Sequence, residues 1–335
     1  MDDQFGKGFL EEPVSDKAYK VEEVMSAFPP VNWVEKPQST WRRFLPIRNQ
    51  ATSNGCVSFT LAVMLGVENL LEENKFVTLS PRTIYARGFV PPEGGMYYSQ
   101  AMQIGKEYGA TLEVLLPSDN RDEIGMRDLG DERESDKIVA KTYRGGAFLY
   151  LPNDIDSIAS MISTGKAVAI GTRFNSGGFS TGEVTLTQGG FYGHAVLGVD
   201  FTLWKGQKAL VIQNSWGSGW GFDGLGVITE AEIKKGGLVV ALYYQTLVNQ
   251  EATGERPKIK VLANTLRIGD KNGEVTKLQL MLQYLGYFPQ DVDLTTGYYG
   301  GITRRAVIDY QTKEVIPATG IADTFTIKTL NDKFA

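Results

Sequence analysis

The stretch that decides the fold is residues 54–74, NGCVSFTLAVMLGVENLLEEN. Four of its apolar residues recur at helical spacing: Phe59, Val63, Val67 and Leu70. This spacing predicts a long helix that begins near Cys56. A thiol on the first turn lies at the positive end of the helix dipole, which stabilises a thiolate. Because a lone cysteine is more often a small buried residue than a nucleophile, its role depends on its neighbours.

Beyond this helix, the chain places helical patterns first and strand patterns later. SPRTIYARG and SQAMQIGKEYG predict two shorter helices, each ending at a glycine. Short apolar or alternating runs follow between glycine-rich turns and predict strands: GAFLYL, AVAIGTRF, HAVLGVDF, KALVIQNSW and GVITE. Between the two regions lies the acid-rich stretch, residues 118–137, SDNRDEIGMRDLGDERESDK. It has no apolar period, so we expect a solvated loop there rather than a binding element.

Length and composition predict one large and one small domain, because 335 residues with 42% hydrophobic content can fill more than one core. The stretch VNQEATGERPKIK is polar and contains a proline, which predicts a linker. Apolar residues at helical spacing follow it. We therefore divide the chain into an N-terminal extension or short propeptide, a main domain, a linker and a small helical domain: residues 1–30, 31–247, 248–263 and 264–335.

Charge and hydropathy exclude several partners. The formal net charge is −5, which lacks the basic footprint of a nucleic-acid-binding protein. No run approaches the roughly 18 apolar residues of a membrane helix, so we expect no membrane span. The start MDDQFGKGFLEEP has acids where a signal peptide has a basic start, so we expect no export signal in this sequence. Localisation stays open, with action expected at the bacterial cell wall, outside the cell or on a virion.

The chain has one cysteine, Cys56, and one histidine, His194. An intrachain disulfide is therefore impossible, and a Cys/His zinc site of the usual four-ligand kind is excluded. No loop has the carboxylate spacing of a metal site. We predict neither a metal nor a cofactor.

A nucleophilic cysteine needs a base, and His194 is the single imidazole available. Taken alone, His194 is equally compatible with a structural histidine buried in the core. Asn214, in VIQNSWGSGW, follows a predicted strand, so its side-chain oxygen could accept the ring N–H while Trp216 covers the contact. Gln50 lies six residues before Cys56. Its amide N–H and the backbone N–H of Cys56 could together hold a developing oxyanion.

Three motifs in this order, NQATSNGCVSF, GHAVLGVDF and NSWGSGWGFDGLGVI, resemble those of the papain-like cysteine peptidases. VNWVEKP and LSPRTIY resemble further segments of the same family, and the likeness spans roughly residues 31–247. The resemblance implies that Cys56 is the nucleophile, His194 the general base and acid, Asn214 its orienting partner and Gln50 an oxyanion donor.

The same resemblance implies an α+β, two-lobed papain-like fold. A helical lobe would carry the cysteine, a β-barrel-like lobe would carry the histidine, and the substrate cleft would lie between them. GGMYYSQAMQIGKEYG resembles the glycine-rich wall of that cleft. The residues implied to bind substrate are Gly94, Gly95, Met96, Gly193 and Trp216. Two positions depart from the family: Ser53 replaces a disulfide-bonded cysteine, and Val57 replaces an aromatic residue.

The C-terminal region has its own resemblance. LRIGDKNGEVTKLQLMLQYLGYF, GYYGGITRRAVIDYQ and TGIADTFTIKTL resemble the small all-α, three-helix peptidoglycan-binding module of cell-wall enzymes. This implies that residues 264–335 bind peptidoglycan, with Tyr298, Tyr299 and Arg304 as possible contacts. The alternative is a module that only packs on the peptidase.

These features together predict a cysteine endopeptidase that cleaves protein or peptide substrates and is targeted to the bacterial cell wall. The first alternative is a non-catalytic or virion-associated wall-binding structural protein that keeps a peptidase fold. Acyl transfer or transglutamination by a Cys-His-Asp site is a second alternative, against which Asn214 and Gln50 argue. Whether residues 1–30 block the cleft is a question the sequence leaves open.

Overall fold

The computed structural model describes residues 5–15, 18–34, 45–244, 262–289 and 295–334. The chain forms two compact units, one of Met1–Asp16 with Pro29–Tyr244 and one of Lys17–Phe28 with Gln245–Ala335. The predicted N-terminal extension is therefore shared between the two units. The predicted linker, residues 248–263, lies outside the described residues except for its last two positions.

Seven α-helices are described in the first unit: α1 Cys56–Glu73, α2 Pro81–Gly88, α3 Tyr98–Glu107, α4 Glu123–Arg127, α5 Glu134–Thr142, α6 Ile155–Ser163 and α7 Glu230–Glu232. The predicted helix α1 is confirmed, and it begins at Cys56. Every residue from Cys56 to Glu68 is buried, so α1 is a central helix covered on all sides rather than a surface helix with one apolar face.

The strand-like part of the first unit is a six-stranded antiparallel sheet in the order β3-β8-β4-β5-β6-β7. Its strands are β3 Phe148–Leu151, β4 Val168–Phe174, β5 Tyr192–Trp204, β6 Gln207–Gln213, β7 Leu225–Thr229 and β8 Leu238–Tyr244. Strand β5 carries His194, and Asn214 follows directly after β6, its neighbour in the sheet. Helices followed by an antiparallel sheet confirm the predicted α+β class.

The start of the chain joins the first unit through a second, two-stranded sheet. Strand β1, Phe9–Leu10, pairs in parallel with β2, Met96–Tyr97. We call residues 5–12 the cleft segment, because they run past the residues predicted to form the active site.

The second unit contains the three predicted helices: α8 Gly273–Tyr284, α9 Gly301–Lys313 and α10 Thr324–Phe334. A short 3-10 turn, Val21–Glu23, packs on α9, and the Glu23 carboxylate pairs with Arg305 at 2.5 Å. Tyr299 is fully buried, and its hydroxyl donates to Gly320 O at 3.1 Å. The expectation that Tyr299 contacts a ligand is therefore wrong, since its ring belongs to the core.

The acid-rich stretch differs from the predicted solvated loop. It contains α4 and the first residues of α5, and several of its carboxylates pair with arginines that are distant in sequence. The pairs are Asp119 with Arg48 at 2.9 Å, Asp131 with Arg82 at 2.7 Å and Glu132 with Arg87 at 2.6 Å. These ion pairs cover arginines of the helical lobe, two of which are almost fully buried. No apolar period marks such a segment, because charge pairing rather than hydrophobic burial holds it.

None of the helices described here is both long and apolar enough to cross a bilayer. Within the described residues, no three or more His, Cys, Asp or Glu side chains are grouped so that they could hold a metal ion.

Candidate active site

Cys56 is the first residue of α1, directly after the helix N-cap Gly55, and it is fully buried. Its thiol lies within reach of the backbone N–H of Ala195, the residue after His194, and of the N–H groups of Gly8 and Phe9. The nucleophile candidate is therefore set between the helical lobe, the sheet and the cleft segment.

His194 and Asn214 are brought together by the pairing of β5 with β6. His194 Nε2 lies 2.8 Å from Asn214 Oδ1, and both side chains are buried. The backbone N–H of Ser215 also donates to Asn214 Oδ1, at 2.8 Å. Because both contacts need an acceptor, the oxygen of the amide faces the ring and Nε2 carries the hydrogen.

The other ring nitrogen, Nδ1, is left to accept a proton. Among the residues that the structure describes, Nδ1 has no hydrogen-bond partner. A neutral imidazole with its proton on Nε2 presents a lone pair at Nδ1, which is the form that a general base requires.

Aromatic rings cover this pair. The Trp216 ring lies 4.6 Å from the His194 ring, and the Phe179 ring meets the imidazole edge-on at 5.2 Å. Trp220 packs against both Trp216 and Phe179, and its indole N–H donates to Phe179 O at 2.7 Å. The rings exclude water from the histidine–asparagine contact, which strengthens it.

Gln50, the predicted oxyanion donor, is buried and held by hydrogen bonds at both ends of its amide. Its Oε1 accepts from Ser215 Oγ at 2.6 Å, and its Nε2 donates to Ser53 O at 2.7 Å. The same Nε2 also donates to Gly6 O at 3.0 Å. A carbonyl oxygen of the cleft segment thus binds the amide that is predicted to be an oxyanion donor.

The cleft segment fits closely because two of its residues are glycines. A Cβ at Gly6 would lie 1.8 Å from Ser53 O, and one at Gly8 would lie 1.8 Å from Asn54 O. Any side chain at either position would collide with the turn before Cys56. The alternation FGKGF, residues 5–9, is the sequence signal that could have predicted this close approach.

The two phenylalanines of FGKGF anchor the two ends of this stretch. The Phe5 ring stacks on Trp216 at 4.9 Å, with 8° between the ring planes. The Phe9 side chain is buried, packs against Tyr98 and fills space next to Gly171, where a Cβ would lie 2.5 Å from its ring.

Four of the five residues predicted to bind substrate contact the cleft segment. Met96 N donates to Gly8 O at 2.8 Å, and Trp216 stacks on Phe5. A Cβ at Gly95 would lie 2.6 Å from Gly8 O, and one at Gly193 would lie 2.2 Å from Phe9 O. Gly94 instead lies against Glu123 and Tyr85, two residues that sequence reasoning missed.

Burial shifts the pKa values of Cys56 and His194 in opposite directions. It raises the pKa of the Cys56 thiol to about 11, although nearby backbone N–H groups act in the opposite direction. Burial also lowers the pKa of His194 to about 4, against the stabilising contact with Asn214. The closed site therefore holds a neutral thiol and a neutral imidazole rather than an ion pair.

A cysteine at the start of a buried helix, next to a histidine–asparagine pair on a sheet, is the arrangement of a cysteine peptidase. Residues 31–246 match the papain family cysteine protease model. The chain belongs to the papain family of cysteine proteases. A peptidoglycan binding domain model matches residues 271–330, so the chain carries that domain at its C-terminus. No curated protein matches the chain.

Solved structures share the fold. Xylellain, a cysteine protease from Xylella fastidiosa, is 17% identical, with a TM-score of 0.58 over 73% of this chain and 97% of its own. Digestive procathepsin L 3 of Tenebrio molitor larval midgut is 19% identical, with a TM-score of 0.56 over 72% of this chain and 76% of its own. Bromelain from Ananas comosus is 16% identical, with a TM-score of 0.50 over 63% of this chain and 99% of its own.

Replacing Phe9 by Ala in the full chain is expected to open the cleft. The substitution removes about 2 kcal/mol of buried apolar contact from the closed state, which raises the open fraction roughly 30-fold. The rate of Cys56 alkylation by iodoacetamide should rise by a similar factor. Val14→Ala is the control, because Val14 lies in the same N-terminal stretch but is partly exposed. An alkylation rate unchanged from the natural chain would mean that Phe9 does not keep the thiol covered.

The lowered pKa of His194 predicts a specific acid sensitivity. The unfolded chain takes up a proton near pH 6.5, whereas the folded chain does so only near pH 4. Stability from this group is thus present above about pH 6.5 and is lost as the pH falls toward 4, by about 2 kcal/mol at pH 5. Urea unfolding followed by tryptophan fluorescence measures it, because the five tryptophans all lie between residues 33 and 220.

The control for this measurement is His194→Gln, which removes the titrating ring. Between pH 7 and pH 4.5, its free energy of unfolding should fall less than that of the natural chain. If the free energy of unfolding depended on pH equally in His194→Gln and in the natural chain, the histidine would not be buried in a neutral form.

Proposed function

We propose that this papain-family protease hydrolyses peptide bonds through Cys56, His194, Asn214 and Gln50. His194 Nδ1 takes the thiol proton as Cys56 Sγ attacks the peptide carbonyl carbon. Gln50 Nε2 and the backbone N–H of Cys56 hold the resulting oxyanion. The protonated imidazole then donates to the leaving amine, and a thioester remains on the sulfur. Water, deprotonated by the same imidazole, hydrolyses the thioester and restores the thiol.

The observation that carries this proposal is the carbonyl held by Gln50. Gly6 O accepts from Gln50 Nε2 at 3.0 Å, in a site that also contains Cys56 and the His194–Asn214 pair. A peptide carbonyl at that position supports the donor role of the glutamine. The two nitrogens of His194, one bound to Asn214 and one without a partner among the described residues, support its role as a base that Asn214 orients.

Activity requires that the cleft segment leave. Once water enters, the desolvation that raises the thiol pKa and lowers the imidazole pKa is relieved, so an ion pair becomes accessible. The helix dipole of α1 then favours the thiolate. Because the two groups titrate as a coupled pair, the open enzyme should give a bell-shaped dependence of kcat/KM on pH.

Replacement of Cys56 by Ala tests the nucleophile. The variant should lose both peptide hydrolysis and iodoacetamide labelling, since no other thiol exists in the chain. Gln50→Ala should keep the labelling but lower kcat by about 10²-fold, as expected for one lost oxyanion donor. Unchanged hydrolysis in Cys56→Ala would end the proposal in favour of a non-catalytic wall-binding protein.

We further propose that residues 264–335 target the protease to peptidoglycan in the cell wall, where tethering raises its effective concentration on peptide substrates. A depression of about 510 Å³ in the second unit supports this role. Its lining includes Asn264, Thr265, Asp270 and Lys277, whose amide, hydroxyl and charged groups suit the hydroxyls and peptide groups of a wall polymer.

A pull-down on purified cell-wall sacculi tests the targeting. The full chain should be retained, and Thr265→Arg, which fills the depression, should reduce retention about tenfold without changing Cys56 alkylation. Thr324→Arg places the same side chain at an exposed position outside the depression and should be retained normally. Equal retention of the natural chain and a chain lacking residues 264–335 would contradict targeting by this module.

A further inference from the structure

Glu123 is the centre of a hydrogen-bond cluster beside the candidate active site. It lies at the start of α4, in the acid-rich stretch, and its side chain is 23% exposed. Its Oε2 accepts the backbone N–H of Asn54 at 2.7 Å. Its Oε1 accepts the Tyr85 hydroxyl at 2.5 Å and Arg127 Nε at 2.7 Å. One carboxylate is therefore bound by three donors from separate parts of the helical lobe.

Two of these contacts reach two backbone segments that bind the cleft segment. Asn54 lies two residues before Cys56, in the turn that also holds Gln50. Tyr85 Oη accepts the backbone N–H of Gly95 at 3.0 Å, next to Met96, whose N–H binds the cleft segment. Glu123 and Tyr85 thus connect the turn that carries the nucleophile to the backbone edge that binds an extended chain.

The direction of the donors is fixed. Tyr85 has one hydroxyl proton, which it donates to Glu123, so its oxygen is free to accept from Gly95. The phenol is fully buried, and burial together with the hydrogen bond to Glu123 raises its pKa well above the usual range. It therefore stays protonated and keeps both contacts under all ordinary conditions.

Further contacts join the turn at Asn54 and helix α4 to the segment before Gly95. Asn54 Nδ2 donates to Glu93 O at 2.9 Å, and Arg127 Nη2 donates to Pro92 O at 2.9 Å. Cys56 is the single cysteine of the chain, so no disulfide can fasten this turn to the edge. Polar contacts must therefore hold the turn to the edge. Hydrogen bonds to a charged group, such as the Glu123 carboxylate, are stronger than those between neutral groups.

We propose that Glu123 and Tyr85 are positioning residues that hold the turn before Cys56 and the edge at Gly95 in fixed register, so that a bound peptide meets the sulfur correctly. This inference rests on the proposed function of Cys56. It assigns to the acid-rich stretch a role in substrate alignment, since a small displacement of a bound carbonyl from the nucleophile slows attack strongly.

The test compares two alkylating reagents on the full chain. Iodoacetamide needs access to the thiol alone, whereas a tripeptidyl chloromethane must also bind along the edge at Gly95. Both need the cleft segment to move, so the ratio of their second-order rate constants cancels the opening step. Glu123→Ala should lower the ratio of peptidyl to iodoacetamide labelling about tenfold. Glu123→Gln keeps an acceptor for Asn54, so its labelling ratio should lie between that of the natural chain and that of Glu123→Ala.

The matched control is Glu132→Ala. Glu132 belongs to the same acid-rich stretch, pairs with Arg87 at 2.6 Å and is more deeply buried, with 3% of its side chain exposed. Its loss should lower thermal stability at least as much as Glu123→Ala does, but it should leave the labelling ratio unchanged. A ratio that falls equally in both variants would reduce Glu123 to a structural role and overturn the proposal.

Amide hydrogen exchange provides a second measurement that does not depend on labelling. Glu123→Ala should speed exchange both in residues 50–56 and in residues 93–96. Tyr85→Phe removes one hydroxyl with little change in shape, so it should speed exchange only in residues 93–96. If neither reagent labels Cys56 in any variant, the proposed nucleophile fails. If exchange in Glu123→Ala matches that in Glu132→Ala, the positioning role fails by itself.

Discussion

The contact between His194 Nε2 and Asn214 Oδ1 is the constraint on which the rest of the site depends. It exists because β5 and β6 pair in a register that places the end of one strand beside the start of the other. The backbone N–H of Ser215 fixes which end of the amide faces the ring, and Trp216 covers the contact. With Nε2 bound to Asn214, Nδ1 is the ring nitrogen that has no partner among the described residues, and the tautomer follows from the sheet rather than from the cysteine.

Two opposing effects act on the thiol, and their sizes decide the state of the closed enzyme. The N-terminus of α1 and nearby backbone N–H groups favour a thiolate, typically by 0.3–1 kcal/mol for the helix dipole, up to about 2 kcal/mol where partly buried. Complete burial opposes them and wins, since the thiol pKa rises to about 11. The sequence predicted that Cys56 lies at the start of α1, which the structure confirms, but it could not reveal the burial, which depends on contacts between segments distant in the chain.

Local patterns were predictable from the sequence, whereas contacts between distant segments were not. Apolar spacing predicted α1 and the strands because helix and strand periodicity are properties of neighbouring residues. The carboxylates of the acid-rich stretch find their partners far away in the chain, Asp119 with Arg48 for example, and no periodicity encodes such a pairing. The contact between Glu123 and Asn54 likewise joins distant segments. The two glycines of FGKGF are explained only by the structure, which shows the turn before Cys56 packed against them.

The cleft segment and the cluster around Glu123 act on the same backbone. Asn54 donates its N–H to Glu123 and accepts Lys7 N–H through Oδ1, so one residue joins the turn to the cluster on one side and to the cleft segment on the other. Gly95 donates to Tyr85, and next to it Met96 donates to Gly8. The cluster around Glu123 therefore holds both of the backbone segments that bind the cleft segment. The cleft segment adds to the edge at Met96 as an extra strand, because β1 runs parallel to β2 and pairs with it.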